Sequence, residues 1–109
     1  MEQEVTFPSQ SPIQIGGTLL SADAPSAVIL LSDSGAHDRN ESLCGHQPFR
    51  VIAEYLHARG HTVLRFDDRG VGASTGDPTQ TSFAASVTDA LAAARFLAAP
   101  GRPPHPPRP

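Results

Sequence analysis

The chain has 109 residues, a formal net charge of −3, and 39% hydrophobic against 17% charged residues. That is the length of one small domain, and so small and scattered a charge excludes nucleic acid or an anionic membrane as the expected partner. The single cysteine, Cys44, excludes an internal disulfide and an all-cysteine metal cage, and a lone thiol reads as an inert filler.

The chain opens Met1-Glu2-Gln3-Glu4, acidic and without the apolar core of a secretory signal. No run approaches the ~20 apolar residues of a membrane span, so a cytoplasmic protein is the expectation. Val5 to Phe7 and Ile13 to Leu20 predict an antiparallel strand pair joined by a Ser/Pro-rich turn, with Gly16-Gly17 as a bulge or kink in the second strand. After a loop from Ser21 to Ser26, Ala27-Val28-Ile29-Leu30-Leu31 is apolar without alternation. That pattern predicts a strand covered on both faces and the most buried of the chain.

Pro48 suits the first turn of a helix, and Phe49, Ile52, Ala53 and Leu56 follow as one apolar stripe, with Arg59 and Gly60 as the C-terminal stop. Thr62 to Phe66 then reads as a strand, completing a βαβ unit of expected right-handed crossover. Thr81 is the expected cap of a further helix, with Phe83, Val87, Ala90, Leu91 and Ala94 as its packed face, running to about Ala99. From Pro100 to Pro109 the composition turns to Pro and Arg, so residues 1–99 are read as the folded part and 100–109 as a disordered, polyproline-like tail.

Between these last two elements, Arg65-Phe66-Asp67-Asp68-Arg69-Gly70-Val71-Gly72-Ala73-Ser74-Thr75-Gly76 ends an apolar run in a charged, glycine-punctuated loop. The glycines allow positive φ, and Asp67 and Arg69 are expected to tie the turn together by charge-assisted hydrogen bonds. A loop at a strand end is the usual address of a site in a parallel sheet. Asp67, Arg69, Gly70, Gly72 and Ser74 reproduce the D-x-R-G-x-G-x-S pattern, and the chain there resembles the α/β-hydrolases. The likeness is to the bacterial acyl-esterase branch in particular. It extends to Asp33-Ser34-Gly35-Ala36-His37-Asp38-Arg39-Asn40-Glu41 and Gly45-His46-Gln47-Pro48-Phe49, and covers about Val5 to Leu97.

The resemblance implies the N-terminal half of a three-layer α/β/α hydrolase fold and an esterase-type serine hydrolase ancestry acting on acyl esters, with no cofactor. It places the oxyanion-hole donor at the backbone N–H of Ser34 or Gly35. Asp33 stands where the family carries glycine, which sets a carboxylate near the developing anion. Asp67, Arg69, Gly70, Gly72 and Ser74 are implied to be structural, Ser74 as a loop-capping hydroxyl. His37, His46, His57 and His61 lack a metal-binding spacing and read as surface or supporting residues. No G-x-S-x-G nucleophile elbow occurs, and no acid and histidine follow one, so no catalytic triad residue is assigned and the chain resembles the first part of a longer enzyme, inactive alone. In the resembled fold the strand Ala27 to Leu31 would then have a bare edge, which predicts self-association.

Two other readings start from the residues themselves. The glycine loop could cradle a phosphate, although no lysine precedes its Ser/Thr and the spacing is not G-x-G-x-x-G. Pro103, Pro106 and Arg108 form P-x-x-P-x-R, a spacing that SH3-type grooves read, against the plainer reading of a tail without a partner.

Overall fold

The computed structural model describes residues 2–24, 26–31, 37–42 and 45–98. The expected loop donors Ser34 and Gly35, together with Asp33 and Cys44, lie outside them, as does the proline-rich tail.

Strands β1 (Glu2–Pro8) and β2 (Gln14–Leu20) form the antiparallel pair; β3 (Ala27–Leu30), helix α1 (Pro48–Ala58) and β4 (Thr62–Phe66) follow, then a short 3-10 turn at Pro78–Gln80 and helix α2 (Phe83–Ala98). The sheet order is β1-β2-β4-β3, with β2 and β4 antiparallel and β3 and β4 parallel. Alternation along the strands sends side chains to opposite faces. Leu20 and Val63 meet Ala53 of α1 on one face, and Val5, Phe7, Ile15, Leu19, Leu64 and Phe66 meet Ala92 and Ala93 of α2 on the other. Helix, sheet and helix are therefore three layers. Phe7 anchors the second face, edge-on to Phe66 at 6.1 Å between ring centroids and stacked on Phe96 at 5.2 Å.

Helix α1 starts with Pro48 in its first turn and stops before Gly60, whose φ of +93° is the left-handed conformation that ends helices. Of its expected stripe only Ala53 is fully buried, with Phe49 and Leu56 half-buried and Ile52 exposed. Arg59 is the C-cap residue as expected, and its guanidinium lies over the Tyr55 ring, 3.7 Å from its centroid.

Four local expectations are corrected. Gly16 and Gly17 are not a bulge: the register runs unbroken through Thr6 opposite Gly16 and Val5 opposite Gly17. They are needed for close approach, since a Cβ on Gly16 would fall 2.6 Å from that of Ala73 and one on Gly17 would fall 2.6 Å from the Arg65 carbonyl oxygen. The most buried strand is β4, buried at all five residues, because it is central; β3 is an edge strand with no fully buried residue.

The cap of α2 is Ser82 rather than Thr81: Ser82 Oγ accepts from the Ala85 N–H at 3.1 Å, while the Thr81 hydroxyl donates back to the Asp77 carbonyl. Lastly, α2 is turned about its axis from the expected orientation. Asp89, Ala92 and Ala93 are buried and Phe96 packs beside them, whereas Phe83, Val87 and Leu91 are exposed on the opposite side. Alanines let the helix lie close on the sheet, and the ion pair made by Asp89 fixes the rotation.

Candidate functional site

At the C-terminal end of the parallel strands β3 and β4, two loop segments are stitched together. The first is described from His37. Its Asp38 Oδ1 accepts from the N–H groups of Asn40 and Ser42, each at 3.0 Å, which curls the chain, and the Asn40 carbonyl then accepts from Phe49 N–H at the start of α1. The second is the glycine loop after Phe66.

Asp67 is the knot. Its Oδ1 accepts from the Arg39 backbone N–H at 2.7 Å and from Nε at 3.3 Å; its Oδ2 accepts from Arg39 Nη2 and the Ala73 N–H, each at 2.9 Å. The residue is 3% exposed. Burial alone would raise its pKa, but the hydrogen bonds from Arg39 and Ala73 and the guanidinium charge outweigh it and hold the carboxyl below the ordinary range. Arg39 spends its other N–H groups on both Glu4 oxygens of β1 and on Thr18 Oγ1 of β2, the latter at 2.7 Å. Burial disfavours the charge on Arg39, yet Glu4 and Asp67 together raise its pKa.

Arg69 was the expected partner of Asp67 and is not. It forms a two-pronged pair with Asp89 of α2, Nε to Oδ2 at 3.1 Å and Nη2 to Oδ1 at 2.7 Å, and the Ser9 hydroxyl of the β1–β2 turn also donates to Asp89. The motif arginine thus locks the loop to the helix. Sequence reasoning missed Asp89, whose signal is that it is an acid one helical turn before Ala92 and Ala93 in an otherwise apolar stretch.

The glycines close the knot. Gly72 has φ +54°, and a Cβ there would sit 2.6 Å from Asp67 Oδ2; Gly70 has φ +82°, and a Cβ would sit 2.3 Å from Pro78 Cδ. Ser74 is buried, its hydroxyl donating to the Asp67 carbonyl at 2.6 Å and accepting from the Gly16 N–H at 3.0 Å. The N–H groups of Gly70, Val71, Ala73, Ser74 and Thr75 all donate inside the protein, to Thr75, Asp68, Asp67, Val71 and Gln14 respectively. A phosphate cradle needs such groups aimed outward, so this loop is built to hold itself and its neighbour.

Arg65, on the face that carries Glu2 and Arg39, donates Nε to Asn40 Oδ1 at 3.0 Å and lies 3.6 Å from Glu2. Its Nη1 is buried without a hydrogen-bond partner among the described residues. His37 joins the stitch through its backbone, exchanging hydrogen bonds with Asp68: His37 N–H to Oδ2, and Asp68 N–H to the His37 carbonyl, both 2.9 Å. The His57 ring nitrogen Nε2 lies 2.8 Å from the Ser21 carbonyl, and His46 and His61 are exposed. Among the described residues no group of three or more His, Cys, Asp or Glu is placed to hold a metal ion, and no helix is long and apolar enough to cross a membrane.

No family model and no curated protein matches the chain. Solved structures do. The α/β hydrolase GrgF from Penicillium sp. sh18 is 21% identical with a TM-score of 0.70, over 89% of this chain and 32% of that one. An esterase of Pyrococcus furiosus is 22% identical with a TM-score of 0.69, over 89% and 35%. A hypothetical protein from Pseudomonas aeruginosa is likewise 22% identical with a TM-score of 0.69, over 94% and 32%. The chain therefore has the α/β-hydrolase fold over its described length and spans about a third of the length of these structures.

Proposed function

We propose that the chain is part of an esterase-type serine hydrolase acting on acyl esters, and that it supplies the loop framework of the active site without the residues that attack the substrate. The observation that carries this reading is the Arg39–Asp67 stitch between the two strand-end loops, at the C-terminal end of the parallel strands, where parallel α/β proteins bind their ligands. The stitch anchors, through His37 and Arg39, the segment whose upstream residues Ser34 and Gly35 would supply a backbone N–H to a developing oxyanion. Absence of G-x-S-x-G from the sequence supports the second half of the reading.

The reading is tested by incubating the full chain with a fluorophosphonate and a p-nitrophenyl ester. Neither labelling nor turnover above background is expected. Stoichiometric phosphonylation of any serine, Ser34 and Ser74 included, would show that the chain carries its own nucleophile.

A further inference from the structure

The face of the sheet that packs on α1 is apolar at Leu20 and Val63 and turns polar beyond them. Glu4, Thr18 and Arg65 stand in one row across β1, β2 and β4, with Glu2 two residues earlier along β1 on the same face. The segment 37–42 bonds to this row through Arg39 and Asn40.

The two glutamates of the edge strand take unequal parts in this. Arg39 gives Nη1 and Nη2 to the two Glu4 oxygens, Nη2 at 2.9 Å, while the same guanidinium holds Thr18 and Asp67. Glu2 stays 3.6 Å from Arg65 Nη2, beyond a good hydrogen bond. Arg39 is near enough to disfavour the charge on Arg65, so two cations share this face. Glu4 is the edge-strand carboxylate that meets one of them with both oxygens. Its side chain is 62% exposed, and an ion pair so exposed ordinarily contributes little, but a two-pronged pair on a nearly buried arginine is the exception.

We propose that Glu4 is a positioning residue for the loop 37–42: from the edge strand β1 it holds the Arg39 guanidinium in the orientation that meets Asp67. An arginine side chain has many rotamers to lose, and a carboxylate that grips its outer nitrogens removes most of them before Asp67 is engaged. The outermost strand of the sheet thereby fixes a loop at the C-terminal end of the inner ones. For its bearing on ester chemistry the proposal rests on the hydrolase reading; the coupling itself rests on the contacts alone.

The test follows amide exchange by NMR in the full chain. The N–H groups of Arg39 and Asp68, which donate to the Asp67 carboxylate and the His37 carbonyl, are compared with those of the β2–β4 ladder. In Glu4→Gln the loop amides should exchange about fivefold faster or more, with the ladder unchanged, and in Glu2→Gln the loop should change by less than about twofold. Sodium chloride at about 1 M, which screens charges beyond ~3 Å, should speed the loop amides of the unsubstituted chain and leave those of Glu4→Gln as they are. Loop and ladder amides speeding together would make Glu4 a contributor to overall stability only and would overturn the proposal. So would a loop indifferent to Glu4→Gln, or one equally sensitive to Glu2→Gln, which would trace the effect to net charge. The experiment reads no catalysis: unchanged loop amides sink the coupling and leave the hydrolase reading standing, whereas an unexpected fluorophosphonate label sinks the reading of a chain without its nucleophile and leaves the coupling standing.

Discussion

Arg39 and Asp67, 28 residues apart in the chain, meet through both carboxylate oxygens and the Arg39 backbone N–H, with Asp67 almost wholly buried. One short carboxylate fixes the loop after β3, the loop after β4 and, through Arg39, the carboxylate of Glu4 on β1. An enzyme of this fold would need that rigidity, because an oxyanion donor misplaced by an ångström loses most of its effect.

Arg39→Met should be strongly destabilising. It leaves the Asp67 carboxylate buried without its cation, a change that costs about 3–5 kcal/mol when one partner of a buried pair is removed. For a domain of this size each kcal/mol is worth about 4–8 °C in Tm. A melting curve followed by circular dichroism checks it, and a shift below about 4 °C would make the stitch dispensable.

Arg69→Ala should also destabilise, through α2 rather than through Asp67. The second cycle member is Asp89→Asn: if Arg69 and Asp89 act as a unit, the double variant loses less than the sum of the single ones. Additive losses in denaturant titrations would mean that the pair is geometrically close but not energetically coupled.

Arg65→Met should cost less than Arg39→Met, on the order of 1 kcal/mol or below. Burial lowers the Arg65 pKa, Glu2 only partly offsets this, and Nη1 gains no hydrogen bond from the described residues in return. An apolar side chain of similar volume relieves that burden, as is common for buried charges. A loss equal to that of Arg39→Met would show that the contacts to Glu2 and Asn40 dominate.

Stability should fall in acid through Asp67. Its folded-state pKa lies below the ordinary 3.8, so its contribution is complete above that value and is lost as the pH falls through the depressed one. Denaturant midpoints from pH 7 to pH 2 should therefore drop below about pH 4, and Asp67→Asn should flatten that drop. An unchanged acid limb in Asp67→Asn would assign it to other carboxylates.

Much of the architecture was legible because local signals agree: Pro48 and Gly60 bracket α1, apolar runs mark the strands, and Gly70 and Gly72 mark a turn that only glycine can make. Pairing was less legible. Arg69 stands beside Asp67 in the sequence but reaches Asp89, 20 residues on, while Asp67 takes Arg39 from 28 residues before it. Nothing local distinguishes those choices, since both arginines can fork a carboxylate. The rotation of α2 was misread for a related reason: it has two apolar sides, and the larger residues Phe83, Val87 and Leu91 outweigh the alanines that pack. Size signals burial only when the neighbouring surface is there to receive it.

The central claim, that this chain carries the loop framework of an ester hydrolase, is tested most directly by a chimera. Residues 2–98 replace the matched third of the Pyrococcus furiosus esterase in one continuous chain, and p-nitrophenyl ester turnover is measured against the parent. Loss of one oxyanion-hole donor costs about 10²–10³ in kcat, so a framework that places the donor should keep the chimera within about 100-fold of the parent. A cooperatively melting chimera that is slowed more than about 1,000-fold would mean that these loops share the fold and not the chemistry.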